Sequence, residues 1–152
     1  TNASIECWGT NIPSIQQSGT YIDVTVGGST GSGGYLVCGL TSSYDLECWG
    51  GTAGYFNPIN SIPNEKFVDI DAGATNMCGL TTSGNLLCWP DMPEQYGPNY
   101  AYVSSAPSGQ FSHFSMGSLH GCGISTNGTV ACWGSDEYGE STVPSGITPI
   151  GY

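Results

Sequence analysis

Apolar residues come in short bursts along this chain, separated by clusters of Gly, Ser, Thr, Asn and Pro. The clearest burst is 67–89, FVDIDAGATNMCGLTTSGNLLCW, which reads as two or three short strands. Met77 to Leu80 and Leu86 to Trp89 flank Thr81-Thr82-Ser83-Gly84-Asn85, a cluster that supplies the Gly and Asn of a hairpin turn. With Ser83 at its centre, Cys78 and Cys88 fall opposite each other, where Cα atoms lie roughly 4.5–5.5 Å apart, within disulfide range. One face then carries Cys78, Leu80, Leu86 and Cys88, and the other Leu87 and Trp89. Both faces are apolar, which predicts a sheet covered on both sides.

The pattern recurs. Residues 21–49 hold YIDV, a Gly-rich stretch and VCGLTSSYDLECW; residues 111–134 read FSHFSMGSLHGCGISTNGTVACWG. The pairs Cys38/Cys48, Cys78/Cys88 and Cys122/Cys132 each span ten positions, and Trp follows the second cysteine. The second cysteines Cys7, Cys48, Cys88 and Cys132 recur at 41, 40 and 44 residues. A period near 40 with short strands predicts propeller blades or a β-solenoid, not one sandwich.

Several elements recur in fixed order: aromatic-x-x-Ile-x-Ala-Gly (Phe67 to Gly73), Cys-Gly-Leu (Cys78 to Leu80), Gly84, and Cys-Trp-Gly (Cys132 to Gly134). Tyr138-Gly139 and Val143-Pro144-Ser145-Gly146 follow. This order resembles the regulator of chromosome condensation repeat, and most of all its cysteine-paired version in secreted proteins and Crinkly-type plant receptor ectodomains. The resemblance covers nearly the whole chain. It implies all-β architecture, one β-propeller blade per repeat, and a binding or scaffolding role with no fixed ligand. The expected organisation is a single repeat domain over 1–152. It has a repeat tail (1–9), repeats 21–49, 67–89 and 111–134, and the start of another at 147–152: three full blades and one split or incomplete blade. Seven blades would be the family's closed form. This chain is then a compact four-bladed ring, a piece of a larger propeller, or a protomer completed by a neighbour.

Charge narrows the partners. Twelve acids face a single base, Lys66, for a net charge of −11. Nucleic acids and anionic membranes are gripped through Lys and Arg, so neither is an expected partner, and the namesake's chromatin role is not carried over. Six of the seven cysteines fall in hairpin pairs, which implies an oxidising compartment and an extracellular, secreted protein. Zinc is the competing reading, but its sites use shorter Cys spacing and clustered ligands. The sequons at Asn2 and Asn127 mark glycosylation candidates, the second in a hairpin turn. The chain has no transmembrane run and no signal peptide and begins at Thr1, as a processed or excised piece would.

Between the strands, 11–19 reads as a polar connection, and the Gly-rich 26–34 as a flexible insertion with no phosphate-loop lysine. The longest connection, 90–106, is rich in Tyr and Pro. Tyr96, Tyr100 and Tyr102 make it the preferred partner-binding loop, with packing onto an adjacent blade as the alternative. Cys7 has no partner at ten residues, because the strand carrying the first cysteine of its pair is absent between 152 and 1. An unpaired or intermolecular role follows, with Ile5 and Cys7 presented to a missing neighbour.

Little points to chemistry. His113 and His120 stand in slots that the repeat does not reserve for imidazole, and no nucleophile motif accompanies them. Asp69 and Asp71 share a strand face, and Asp136, Glu137 and Glu140 cluster in a loop with too few ligands for tight calcium binding. Trp8, Trp49, Trp89 and Trp133 could form a carbohydrate platform, but their fixed place after a cysteine favours packing between blades. The sequence therefore predicts a non-enzymatic protein without cofactor or metal. Its partners would be copies of itself or the rest of a longer precursor, joined head to tail, with a filament as one form of the assembly. Glycans are a further partner class, and the alternative is a recognition ectodomain or lectin-like module.

Overall fold

The computed structural model describes residues 4–8, 16–29, 34–50, 58–74, 76–89 and 106–147. Three sheets of three antiparallel strands follow one another. β3 (Tyr21–Ser29), β4 (Gly34–Thr41) and β5 (Leu46–Gly50) form the first. β6 (Phe67–Ala72), β7 (Met77–Thr81) and β8 (Leu86–Trp89) form the second, and β9 (Phe111–Met116), β10 (His120–Ser125) and β11 (Val130–Gly134) the third. A two-stranded ribbon, β1 (Ser4–Glu6) with β2 (Gln16–Ser18), precedes them. This is the all-β, propeller-like repeat architecture that the period of about 40 residues predicts: three blades and an incomplete one.

Each blade is built by the same local rules. Its second and third strands meet at a turn in which a Thr or Ser hydroxyl accepts from a backbone N–H four residues on. The pairs are Thr41 with Asp45 (3.1 Å), Thr81 with Asn85 (3.0 Å) and Ser125 with Thr129 (3.0 Å). That turn sets the register, so Cys38 faces Cys48, Cys78 faces Cys88 and Cys122 faces Cys132. The Cα atoms stand 4.1, 4.0 and 4.0 Å apart, and all three pairs are disulfide-bonded.

A bulge near the start of each first strand moves the leading aromatic to the opposite face. The register slips around Ile22, Val68 and Ser112. Without the slip, Phe67 would share a face with Asp69 and Asp71; with it, the ring lies on Gly79 and against Trp89, centroids 5.4 Å apart. Gly79 has to be glycine, since a Cβ there would sit 2.4 Å from the Phe67 ring. Tyr21 over Gly39 and Phe111 over Gly123 repeat the arrangement.

The middle blade is covered on both faces, as its two apolar faces require. Phe67, Ile70, Met77 and Trp89 pack with Leu36, Cys38 and Leu40 of the first blade. Cys78, Leu80 and Leu86 pack with Phe111 and Trp133 of the third.

Three expectations are corrected. The connection 11–19 is not wholly a loop, because Gln16–Ser18 pairs with Ser4–Glu6. Of the Gly-rich 26–34, the described residues 26–29 and 34 are strand: the β3–β4 ladder runs out to Ser29 opposite Gly34, since glycine keeps both backbone hydrogen-bonding groups. Nor does Ile5 face a vacant neighbour; it is 8% exposed, and its Cδ1 lies over Gly39 of the first blade.

Candidate functional site

The first strands of the three blades lie side by side and carry a row of equivalent side chains, Thr25, Asp71 and Ser115. Asp71 joins all three blades. Its Oδ1 accepts from the Thr25 hydroxyl at 3.3 Å and from the Ala72 N–H at 2.9 Å. Its Oδ2 accepts from the Met116 N–H at 2.8 Å and the Ser115 hydroxyl at 3.3 Å. Thr25 in turn accepts from the Ala72 N–H at 3.1 Å. A carboxylate held by N–H and O–H donors from two neighbours is a strong brace between sheets.

Asp69, two residues earlier on the same face, is half-buried. Burial raises its pKa, the nearby Asp23 and Asp71 charges raise it further, and the Ile70 N–H and His113 oppose them. Asp71 thus braces the joint between blades, while Asp69 beside it lies within the fields of Asp23 on the first blade and His113 on the third.

The other titratable candidates scatter. His113 is exposed on β9, and His120 is half-buried on β10 in the slot of Asn76. Asp136 is consumed by its own turn, accepting from the Thr142 hydroxyl (2.7 Å) and the Ser141 N–H (2.9 Å), bonds that lower its pKa. Glu140 accepts from the Tyr138 N–H at 2.8 Å, and Glu137 is exposed. Among the described residues no three His, Cys, Asp or Glu side chains are grouped to hold a metal ion. Tyr21 donates to Glu47 at 2.7 Å, and burial, this bond and the Glu47 charge push its pKa up to about 12.

The surfaces that stand out are the two ends of the blade series. At one end, β1 pairs with β2 on one side, and among the described residues no strand lies on its other side. Cys7, just beyond β1, is a half-buried free cysteine. Trp8 breaks the expected pattern: Trp89 and Trp133 are buried between blades and Trp49 is half-buried against Tyr21, but Trp8 is 84% exposed, and among the described residues no sheet covers its side of the ribbon. At the other end, the Cys122–Cys132 face of the third blade has no sheet upon it among the described residues.

Asn127 is exposed in the β10–β11 turn, with Oδ1 accepting from the Thr129 N–H at 3.0 Å and the Ser125 hydroxyl at 2.5 Å. Asn2, Tyr96, Tyr100 and Tyr102 lie outside the described residues. Sequence reasoning missed the Thr25–Asp71–Ser115 row, which aligning the first strands on their leading aromatics would have revealed. It also missed Tyr44, which takes φ of 66° where the other two turns have Gly84 and Gly128. Asn76, buried at 2% exposure with no hydrogen-bond partner for its side chain, gave no sequence signal.

Comparison with known proteins agrees with this geometry. Residues 111–140 match the family model of the regulator of chromosome condensation (RCC1) repeat. No curated protein matches the chain. Among solved structures, the CRINKLY ectodomain of the Arabidopsis thaliana receptor kinase ACR4 is similar at 23% identity and TM-score 0.57, over 78% of this chain and 44% of that one. The ectodomain of the Physcomitrella patens receptor kinase CR4 is similar at 24% identity and TM-score 0.60, over 85% of this chain and 33% of that one. Prp20p of Saccharomyces cerevisiae follows at 15% identity and TM-score 0.51, over 76% and 33%. The chain thus spans less than half the length of each. The repeats are RCC1-like and of the cysteine-paired kind, and the propeller fold is shared with these structures.

Proposed function

We propose that this chain is a non-enzymatic, extracellular protein-interaction module whose disulfide-stapled blades join head to tail with further blades. Those blades belong to copies of itself or to the rest of a longer precursor, and a rotation that does not close extends the series into a filament. One observation carries the reading: among the described residues, no strand lies on the free side of β1 and no sheet lies on the Cys122–Cys132 face of the β9–β11 sheet. Open strand edges and bare sheet faces are surfaces that proteins cover. A strand added along the free side of β1 would set its own cysteine opposite Cys7, as Cys38 stands opposite Cys48. Three disulfides belong to an oxidising compartment, and the likeness to receptor ectodomains agrees with it. Among the described residues no helix is long and apolar enough to cross a membrane.

Size-exclusion chromatography with light scattering in non-reducing buffer tests the proposal. Large assemblies support it, and a monomer under all conditions overturns it. A second reading, a ligand-recognition ectodomain that binds peptide or glycan through the loops after each Trp, is favoured by the same ectodomain likeness. It predicts that clean monomer, together with retention on a peptide or glycan array.

A further inference from the structure

The hairpin turns of the three blades stand in equivalent places, and their tips are Ser43, Ser83 and Asn127. The residue after each of the first two tips touches the blade that follows. The Tyr44 carbonyl accepts from the Phe67 N–H at 3.0 Å, and the Gly84 carbonyl from the Phe111 N–H at 2.8 Å. Ser43 and Ser83 are nevertheless exposed, each with that following blade in place. The open position of Asn127 is therefore a property of the turn, and a blade packed after the third would leave it open.

Only the third tip begins a sequon, Asn127-Gly128-Thr129. The turn fixes which arm of its amide faces inward. Oδ1 accepts from the Thr129 N–H at 3.0 Å and from the Ser125 hydroxyl at 2.5 Å, and an N–H donor admits no amide nitrogen in that place. Nδ2, the other arm, makes no hydrogen bond among the described residues. The Gly128 N–H donates to the Ser125 carbonyl at 2.8 Å, so its nitrogen is not free to attack Asn127 Cγ and expel the amide as ammonia. Asn127 also borders a cleft of about 440 Å³ shared with Pro107, Ser108 and Gln110, which gives a sugar next to the chain room to lie.

We infer that Asn127 carries an N-linked glycan. The inference rests on the extracellular part of the proposed function and not on its head-to-tail part. In the transfer, Nδ2 bonds to C1 of the first sugar of an oligosaccharide carried on a lipid diphosphate. The bond from C1 to the diphosphate oxygen breaks, the diphosphate leaves with that electron pair, and the amide gives up one proton to solvent. Oδ1 remains a carbonyl oxygen, so both bonds that hold the turn survive the modification. The glycan then stands at the tip of the hairpin, five residues from Cys122 and five from Cys132.

The full chain, secreted from eukaryotic cells behind a signal sequence, tests the inference in an Asn2→Gln background that leaves one sequon. Peptide N-glycosidase in heavy-oxygen water should lower the apparent mass and convert Asn127 to labelled Asp. The same incubation without the enzyme, which reads spontaneous deamidation, should leave Asn127 unlabelled. Asn127→Gln and Thr129→Ala should abolish the mass shift, and Thr129→Ser should retain it. Thr129→Ala keeps the backbone N–H that Oδ1 accepts, so its loss of glycan is not loss of the turn. A mass shift that survives Thr129→Ala overturns the assignment to this sequon. Peptide mapping without reductant on the same samples separates the inference from the reading beneath it. A secreted chain with all three disulfides formed and Asn127 bare overturns the glycan and leaves the extracellular reading standing. A chain with those cysteines reduced and Asn127 bare overturns both.

Discussion

Truncating Trp89 to Ala tests the stacking of blades most directly. Trp89 is 2% exposed and lies between Phe67 and the Leu36, Cys38 and Leu40 face. Burying a Trp removes about 150–250 Å² from water. At about 25 cal/mol per Å² that is about 4–6 kcal/mol, and a compact unfolded state lowers it by about 10–40%. The expected cost of Trp89→Ala is therefore about 3–5 kcal/mol, the range seen for large aromatic truncations in cores. The indole N–H of Trp89 is buried without a hydrogen-bond partner. Trp89→Phe sheds that orphaned donor along with part of the ring, and relief of about 1–3 kcal/mol offsets the lost contact, leaving a net cost below about 1 kcal/mol. Trp49→Ala, at a half-buried site, should fall between the extremes, and Trp8→Ala in the dilute monomer should stay within about 0.5 kcal/mol. Urea denaturation without reductant, read as midpoint shifts at constant slope, gives all four values. A Trp89→Ala loss below about 1 kcal/mol, or one matched by Trp8→Ala, would refute inter-blade packing and revive the carbohydrate platform.

Two further outcomes follow from single positions. Tyr44→Gly should stabilise the protein by about 0.5–1 kcal/mol by thermal or urea unfolding, because Tyr44 holds a positive φ that glycine takes freely and that Gly84 and Gly128 already adopt in the other turns. A loss of stability would mean that the Tyr44 side chain contributes more than the backbone strain. Asp69 has a folded-state pKa above its ordinary 3.8, so its ionised form opposes folding at neutral pH, and this penalty lifts as pH falls through the folded value. Asp69→Asn should accordingly raise stability at pH 7, with the gain shrinking as pH falls and gone below 3.8. A gain independent of pH would assign the effect to packing.

What the sequence disclosed and what it concealed have separate physical origins. The turn, the register and the cysteine pairs that repeat in every blade were legible, because each is enforced by a local rule. The Thr-x-x-x-Asn turn sets the register, the register opposes Cys78 to Cys88, and the Cys-Gly slot exists because an aromatic ring lies on that glycine. The illegible features depend on which sheet lies next door. Trp8 and Trp89 occupy the same place in the repeat, yet Trp89, packed in a cluster with Leu36, Cys38 and Leu40 of the first blade, is 2% exposed and Trp8 is 84% exposed. Thr25, Asp71 and Ser115 look unrelated in composition, yet their equivalent registers bring them into one hydrogen-bonded row. The ribbon β2 was hidden for a third reason: Gln16–Ser18 carries no alternating apolar residues, because its pairing with β1 is made by backbone groups that any sequence supplies. In a repeat protein stability is approximately a sum of unit and nearest-neighbour terms, so local pattern reports the unit and only the assembled structure reports the neighbour. Among the described residues Trp8 departs furthest from the pattern of its repeat, at 84% exposure against 2% for Trp89 and 6% for Trp133.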